Sequence, residues 1–274
     1  MNAIKNIIEK ASKLNGSIVL PEGQDARVIT AACALVDRKI CTPIVLGTQD
    51  EIAAAEAKAG LSLAERNIKV IDFTQGDAEL EAKYLEAWNA KEAKKPVERQ
   101  KFIDLAAAEA TLRTKRIYFG GMMVKLGKVN GLVAGSIAST GDMLRAAFHT
   151  LGTQKGVKTA SSCFIMDLKE PTPAGDSVLA FGDCAVIPDP TAEQLVDIGL
   201  DLGSALAAIG GVGVGVAGDG VALFAQGVGD LLLHAVAGLQ AAQGVEIGIR
   251  QGGLMAAQKG FSVEVTGKAI ALQP

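Results

Sequence analysis

Histidine and paired cysteines are scarce in this sequence, and that scarcity argues against metal sites. The 274 residues include two histidines and four cysteines, and no two cysteines form a Cys-x-x-Cys pair. Common zinc sites need clustered cysteine and histidine ligands, so a zinc site is not expected. We interpret the cysteines as buried, reduced thiols of a cytoplasmic protein. They are Cys33, Cys41, Cys163 and Cys184.

The chain also lacks the features of nucleic-acid and membrane proteins. Its net charge is −3 and its aromatic content is 4%, which gives neither a basic footprint nor a stacking platform. The uncharged stretch from Leu202 to Gly218 is rich in glycine, which supplies little hydrophobicity, and Asp201 and Asp219 flank it. Charges interrupt the apolar N-terminal residues at helical spacing, which predicts an amphipathic helix instead of a secretory signal.

What the first half does contain is an alternation of short β-branched runs with alanine-rich stretches. The β-α-β-α order predicts an α/β fold with a largely parallel sheet. Predicted strands cover residues 17–20, 42–47, 68–72 and 131–135, and predicted helices cover residues 26–38, 50–59, 78–93 and 97–113.

One loop has the pattern of an anion site. The sequence Ser136-Ile-Ala-Ser-Thr-Gly-Asp-Met-Leu-Arg follows a predicted strand and opens a helix that runs through His149. The free backbone N–H groups and the dipole at such a helix start favour negative charge. The pattern alone leaves a second interpretation open, in which the hydroxyls cap the helix and Arg145 is a surface arginine.

Several longer motifs carry a resemblance to a known family. They are Leu20-Pro-Glu-Gly-Gln-Asp-Ala-Arg-Val, the segment from Met122 to Arg145, Lys155-Gly-Val-Lys-Thr-Ala-Ser-Ser-Cys-Phe-Ile-Met, and Phe181-Gly-Asp-Cys-Ala-Val-Ile-Pro-Asp-Pro. Together, and in this order, they resemble the phosphate acetyl/butyryl transferase family over about residues 1–198.

The resemblance implies a two-domain, three-layer α/β protein with an active-site cleft between the domains. We expect residues 1–150 with about 255–274 in the first domain, and 151–254 in a shortened second domain. The implied reaction moves an acetyl group between coenzyme A and inorganic phosphate. Coenzyme A is a substrate, no cofactor or metal is implied, and the expected assembly is a homodimer.

The resemblance also implies roles for individual residues. Arg145 matches a family arginine that holds the phosphoryl group, and the small hydroxyl residues of the same loop are expected to bind substrate. Lys259-Gly-Phe-Ser-Val-Glu-Val can be aligned with the family's catalytic Arg-Gly-Cys-Ser-x-x-Asp, which places Glu264 next to the position of the base. A solvated surface glutamate is the other interpretation of Glu264. The predicted site residues are Arg145, Glu264, Ser136, Ser139, Thr140 and Lys259.

The motifs of the family stop near Ile198. Beyond it stands a glycine-rich stretch, and no lysine or arginine occurs from Glu170 to Ile249. This leaves a second hypothesis beside the acetyltransferase, namely a catalytically impaired or non-catalytic, rearranged or artificial member of the same family. A third hypothesis, an oxidoreductase with a similar fold, depends on fold analogy alone. The pattern Gly213-Val-Gly-Val-Ala-Gly218 is expected by chance in so glycine-rich a stretch and is not interpreted as a dinucleotide site.

Overall fold

The computed structural model describes residues 3–153, 158–171, 177–184 and 186–209, and four two-residue strands further along the chain. The chain divides into two compact units. One is Glu9–Gly152; the other combines Met1–Ile8 with the described residues from Thr153 onward. No helix in these ranges is long and apolar enough to cross a membrane.

A four-stranded parallel sheet forms the centre of the unit Glu9–Gly152. Its strands are β1 (Ser17–Leu20), β2 (Thr42–Leu46), β3 (Lys69–Ile71) and β4 (Gly131–Leu132), and they lie in the order β3-β2-β1-β4. Their neighbours pair in parallel, as in Ile18 with Pro43, Val45 with Val70 and Val19 with Leu132. Parallel neighbours need crossover connections, which the intervening helices supply.

Local signals fix where the helices begin and end. Asp25 caps α2 (Ala26–Asp37) by accepting from the Arg27 backbone N–H, and Thr48 forms a capping box with Glu51 at the start of α3 (Gln49–Ala59). Gly60 ends α3 in the left-handed conformation, which glycine adopts without strain. The helices in the described ranges are α1 (Ala3–Leu14), α2 (Ala26–Asp37), α3 (Gln49–Ala59), α4 (Ala78–Glu92), α5 (Leu105–Thr114), α6 (Arg116–Lys125), α7 (Thr140–Thr150) and α8 (Ala192–Ile209).

Helices cover both faces of this sheet. Successive strand residues point to opposite faces, so Val19 and Leu46 join one buried cluster while Leu20 and Val45 join the other. The first cluster includes residues of α4, α5, α6 and α7, and the second includes residues of α2 and α3. The α/β fold with a parallel sheet, predicted from the alternating pattern, is confirmed.

The helix predicted over residues 97–113 is wrong in its first half. Val97–Arg99 forms a single 3₁₀ turn, and α5 begins only after Asp104, whose side chain accepts from the Ala107 backbone N–H at 2.8 Å. The side chain of Asn89 donates to the Ile103 carbonyl at 2.9 Å and accepts from the Ile103 N–H at 3.0 Å. This tertiary contact satisfies the backbone in an extended form, so the local helix preference is overridden.

The described strands of the other unit pair as antiparallel ribbons. Strand β5 (Cys163–Asp167) pairs with β6 (Val178–Gly182). At the start of α8 the Thr191 N–H donates to the Gln194 side chain, and the Gln194 N–H donates to the Thr191 hydroxyl. The remaining pairs are β7 (Val216–Ala217) with β8 (Ala222–Leu223), and β9 (Val265–Thr266) with β10 (Ala269–Ile270). The domain boundaries, including the return of about residues 255–274 to the first domain, stay a prediction.

Candidate active site

The strand order creates a crevice at one end of the parallel sheet. From β1 the chain moves outward to β2 and β3, and then returns to β4 on the other side of β1. The connections leaving β1 and β4 therefore diverge at the carboxyl ends of these strands, which is where open α/β sheets bind ligands. We call this end, with residues 21–25, residues 133–139 and the first turns of α6 and α7, the carboxyl edge.

A pocket of about 330 Å³ opens at the carboxyl edge. Its walls come from the turn after β1, the start of α6, the loop after β4 and the first two turns of α7. The lining residues are Glu22, Gln24, Thr114, Lys115, Arg116, Ile117, Tyr118, Ile137, Ala138, Asp142 and Arg145.

Three cationic side chains line this pocket, and two of them already have carboxylate partners. Arg145 Nη1 donates to Asp142 Oδ1 at 2.8 Å, in an exposed pair on one face of α7. Arg116 Nη2 donates to Glu51 at 2.8 Å. Lys115 forms no ion pair with any residue that the structure describes, and its ammonium lies 5.2 Å from the centre of the Tyr118 ring. The pocket therefore offers positive charge to an anion.

A buried carboxylate fills the loop that follows β4. Glu22 is 2% exposed. Its two oxygens accept from the backbone N–H groups of Gly135, Ser136, Ile137 and Ala138 at 2.7–3.0 Å, and from Ser136 Oγ at 3.0 Å. Burial raises the pKa of Glu22, but the backbone hydrogen bonds outweigh it and hold the pKa below its usual value. Four of the loop amides that the sequence offered to an anion are thus occupied by a carboxylate of the chain itself.

The structure brings Ser136, Ser139, Thr140 and Arg145 together at the carboxyl edge. The Ser136 hydroxyl donates to Glu22, and Ser139 Oγ both accepts from the Asp142 N–H at 3.2 Å and donates to Asp142 Oδ2 at 2.8 Å. Thr140 is the first residue of α7. Their roles in binding substrate stay predictions. Lys259 and Glu264 lie outside the described residues.

Sequence reasoning assigned no role to Glu22, Lys115 or Arg116. The segment that carries Glu22 was identified as a turn and as part of a family motif, although an acidic residue in the turn after a buried strand lies at the ligand end of a sheet. Lys115 and Arg116 stand where two helices meet, between α5 and α6, and nothing local distinguishes them from solvated surface cations.

A histidine, His149, packs against aromatic side chains of α4 and α6. His149 Nδ1 lies 2.9 Å from the Tyr118 hydroxyl, and its ring centre lies 4.8 Å from that of Trp88. Burial lowers the pKa of His149, and the positive charges of Lys91 and Arg145 lower it further. The neutral imidazole is therefore favoured at this position.

Comparison with known proteins identifies the group to which this sequence belongs. A family model described as "Phosphate acetyl/butaryl transferase" matches residues 2–217, which extends past Ile198. A phosphate acetyltransferase of Thermoanaerobacterium thermosaccharolyticum is 40% identical over 198 residues, covering 72% of this chain and 56% of the relative. One of Nitratidesulfovibrio vulgaris is 36% identical over 195 residues, covering 71% of this chain and 25% of the relative. The chain thus spans about half, or less, of the length of these relatives.

Two solved phosphotransacetylase structures also resemble this chain. The EutD phosphotransacetylase of Staphylococcus aureus superposes with a TM-score of 0.64 at 29% identity, covering 88% of this chain and 69% of that one. A phosphotransacetylase of Streptococcus pyogenes gives a TM-score of 0.63 at 28% identity, over 80% of this chain and 63% of that one. With its parallel sheet, its cationic pocket and these matches, the chain belongs to the phosphate acetyl/butyryl transferase family.

Proposed function

We propose that this protein transfers an acetyl group between coenzyme A and inorganic phosphate, interconverting acetyl-CoA plus phosphate with acetyl phosphate plus coenzyme A. The observation that carries the proposal is the pocket at the carboxyl edge, where Lys115, Arg116 and Arg145 converge in a chain of this family. Relatives named phosphate acetyltransferase at 35–40% identity support the same reaction.

In the proposed direction toward acetyl-CoA, the thiolate of coenzyme A attacks the acetyl carbonyl carbon. The new C–S bond forms, the C–O bond to phosphate breaks, and phosphate leaves with the electron pair. A base takes the thiol proton, because a thiol with a pKa of about 8.5 is mostly protonated near neutrality. Glu264 is the base proposed from sequence, and we propose no cofactor for this acyl step.

Arg145 is proposed to bind the phosphoryl oxygens. A guanidinium can donate two parallel hydrogen bonds to a phosphate, and charge-assisted bonds of this kind are among the stronger ones. Without substrate, Arg145 donates to Asp142, and both side chains are 59% exposed. A pair so exposed is worth little, so an incoming phosphate can replace Asp142 at small cost.

The test follows formation of the acetyl-CoA thioester from acetyl phosphate and coenzyme A. We expect turnover by the full chain, and a fall of about 10²–10³-fold in kcat/KM for Arg145→Ala, the size seen when one donor to developing charge is removed. Arg66→Ala is the control, since Arg66 lies at the opposite end of the sheet and pairs with Asp37. Equal activity of Arg145→Ala and the unmutated protein would refute the proposed role of Arg145.

The second hypothesis, a non-catalytic member of the family, is not favoured by the comparisons. The same assay tests this hypothesis. Turnover would refute it, whereas a protein that melts cooperatively but shows no turnover would support it, because the fold would be kept without the reaction. The relatives and solved structures reported above are named as phosphate acetyltransferases and phosphotransacetylases, not as oxidoreductases. We also propose a homodimer that acts in the cytoplasm, as the family resemblance implies. Light scattering after size exclusion measures the assembly.

A further inference from the structure

The Glu22 carboxylate joins two loops that are far apart in sequence. It lies in the turn after β1, and its partners lie in the loop after β4, so each hydrogen bond connects residues more than 110 positions apart. The loop it holds ends at Ser139, the N-cap of α7, the helix that carries Arg145 two turns further on. Whatever fixes this loop also fixes the first turn of α7.

A second contact to the same loop comes from the exposed side chain of Arg27. Arg27 Nη2 donates to the Ser136 carbonyl at 2.8 Å and to Asp25 Oδ2. The hydrogen bond from Arg27 to Asp25 lowers the pKa of Asp25 to about 2, so this pair stays charged under ordinary conditions. Residues 135–138 are therefore held through their N–H groups by Glu22 and through a carbonyl by Arg27.

The carboxylate also changes which groups can meet a substrate anion. Successive N–H groups at a helix start form a concave anion site, but a site already holding a carboxylate repels a second anion. A substrate phosphate at this edge therefore meets the pocket side chains, such as Arg145 and Lys115, and the start of α7, and not the amides of residues 135–138.

We propose that Glu22 is a positioning residue of the active site. By occupying the amides of residues 135–138 it sets the start of α7, and through α7 it places Arg145 where the phosphoryl group binds. This inference rests on the proposed function for the identity of the anion. Both oxygens of Glu22 are already engaged by the loop, so the proposed role is to position it and not to bind substrate.

The experiment is a double-mutant cycle between Glu22→Gln and Arg145→Ala, with acetyl phosphate turnover and calorimetric binding of inorganic phosphate as readouts. Glutamine keeps the shape but turns an amide donor toward backbone N–H donors. Because misplacing a binding group by about 1 Å can cost about 10²-fold, we expect Glu22→Gln to raise KM for acetyl phosphate and Kd for phosphate about 10-fold or more. In the Arg145→Ala background the same change should have less than about a 2-fold effect, since the group that it positions is gone.

Glu81→Gln is the matched control. Glu81 is also 2% exposed, but it accepts from Arg113 at 2.7 and 3.2 Å, and neither residue lines the pocket. We expect Glu81→Gln to lower the melting temperature while KM for acetyl phosphate stays unchanged. Equal, additive weakening by Glu22→Gln with and without Arg145 would overturn the inference, because it would show that Glu22 only supports the fold.

Two further arms separate the possible failures. If Glu22→Gln does not fold, Arg27→Gln removes the other contact to the loop from a side chain that is 73% exposed. A rise in KM of about 3-fold that depends on Arg145 then supports loop positioning, and no change opposes it. If the unmutated protein shows no acetyl transfer, the proposed function is refuted. The double-mutant cycle measured by calorimetric binding of phosphate still tests the role of Glu22 in that case.

Discussion

A pocket of similar volume lies at each end of the parallel sheet, but the helix ends that face the two pockets have opposite polarity. The pocket at the carboxyl edge measures about 330 Å³ and contains Arg145 and Lys115. A second pocket of about 290 Å³ lies at the amino edge, before strands β1, β2 and β3, and contains Lys39 and Arg66. Cations line both pockets, so charge alone does not identify the active site.

The difference lies in which helix ends face each pocket. At the carboxyl edge α6 and α7 begin, and the partial positive charge of a helix start adds to that of the side chains. At the amino edge α2 ends at Asp37, and the carboxyl end of a helix carries partial negative charge. Of the cations at the amino edge, Arg66 donates to Asp37 at 2.9 Å. Of the two pockets, the one at the carboxyl edge is therefore better suited to an anionic substrate.

The largest expected effect on activity comes from removing two positive charges at the carboxyl edge, and the matching change at the amino edge is its control. We expect Lys115→Gln with Arg145→Gln to lower kcat/KM for acetyl phosphate by about 10³-fold, because the phosphoryl group loses both proposed cationic partners. Lys39→Gln with Arg66→Gln should change it by less than about 3-fold, since screened charges away from the site contribute little. Steady-state formation of the thioester measures both. Similar losses from the two double variants would show that the edges are not functionally distinct.

Packing also distinguishes the edges, with a smaller effect. A Cβ at Gly23, in the turn after β1, would lie 2.5 Å from the Leu46 carbonyl oxygen, whereas at Gly16, before β1, the nearest atom is 3.5 Å away. We expect Gly23→Ala to lower the free energy of unfolding by about 1–3 kcal/mol through overpacking. Gly16→Ala should raise it by about 0.4–1 kcal/mol, because the unfolded chain loses freedom. Urea titration compares the variants, and equal stability would contradict this difference in packing.

The smallest expected effect is on the pH dependence of stability. Burial and neighbouring cations lower the pKa of His149 below 6.5, so the unfolded chain binds a proton more readily than the folded one. The contribution of neutral His149 is therefore complete above pH 6.5 and is lost as the pH falls through the lowered pKa. We expect His149→Gln to lose less stability than the unmutated protein between pH 7 and 5. Thermal melts at each pH give the slopes, and parallel slopes would oppose this assignment.

The order of elements was predictable because its signals are local. Ser17–Leu20 is a short β-branched run, and Thr48 with Glu51 forms a capping box within four residues. The helix predicted through residues 97–104 was wrong because Asn89 and Trp88 on α4 bond the backbone there, and such a contact leaves no trace in the local sequence.

The candidate site was predictable only in part. Arg145 and the loop before it were recognised from a strand, a run of small residues and a helix start, together with the family motifs. Lys115 was not, because it becomes a pocket residue only when α6 is placed beside α7. Lys259 and Glu264 were proposed from a short alignment and stay predictions.

The sequence by itself determined the family, the alternation of strands and helices, and the place of Arg145 on a helix after a strand, since periodicity, caps and motifs act over a few residues. Tertiary structure alone decided what fills the loop after β4. Sequence offered its amides to a substrate anion, but folding brings Glu22 to them from 113 positions away. Once the sheet places β1 beside β4, that carboxylate lies within hydrogen-bond distance of the loop amides, and backbone N–H groups take the partner that the fold supplies.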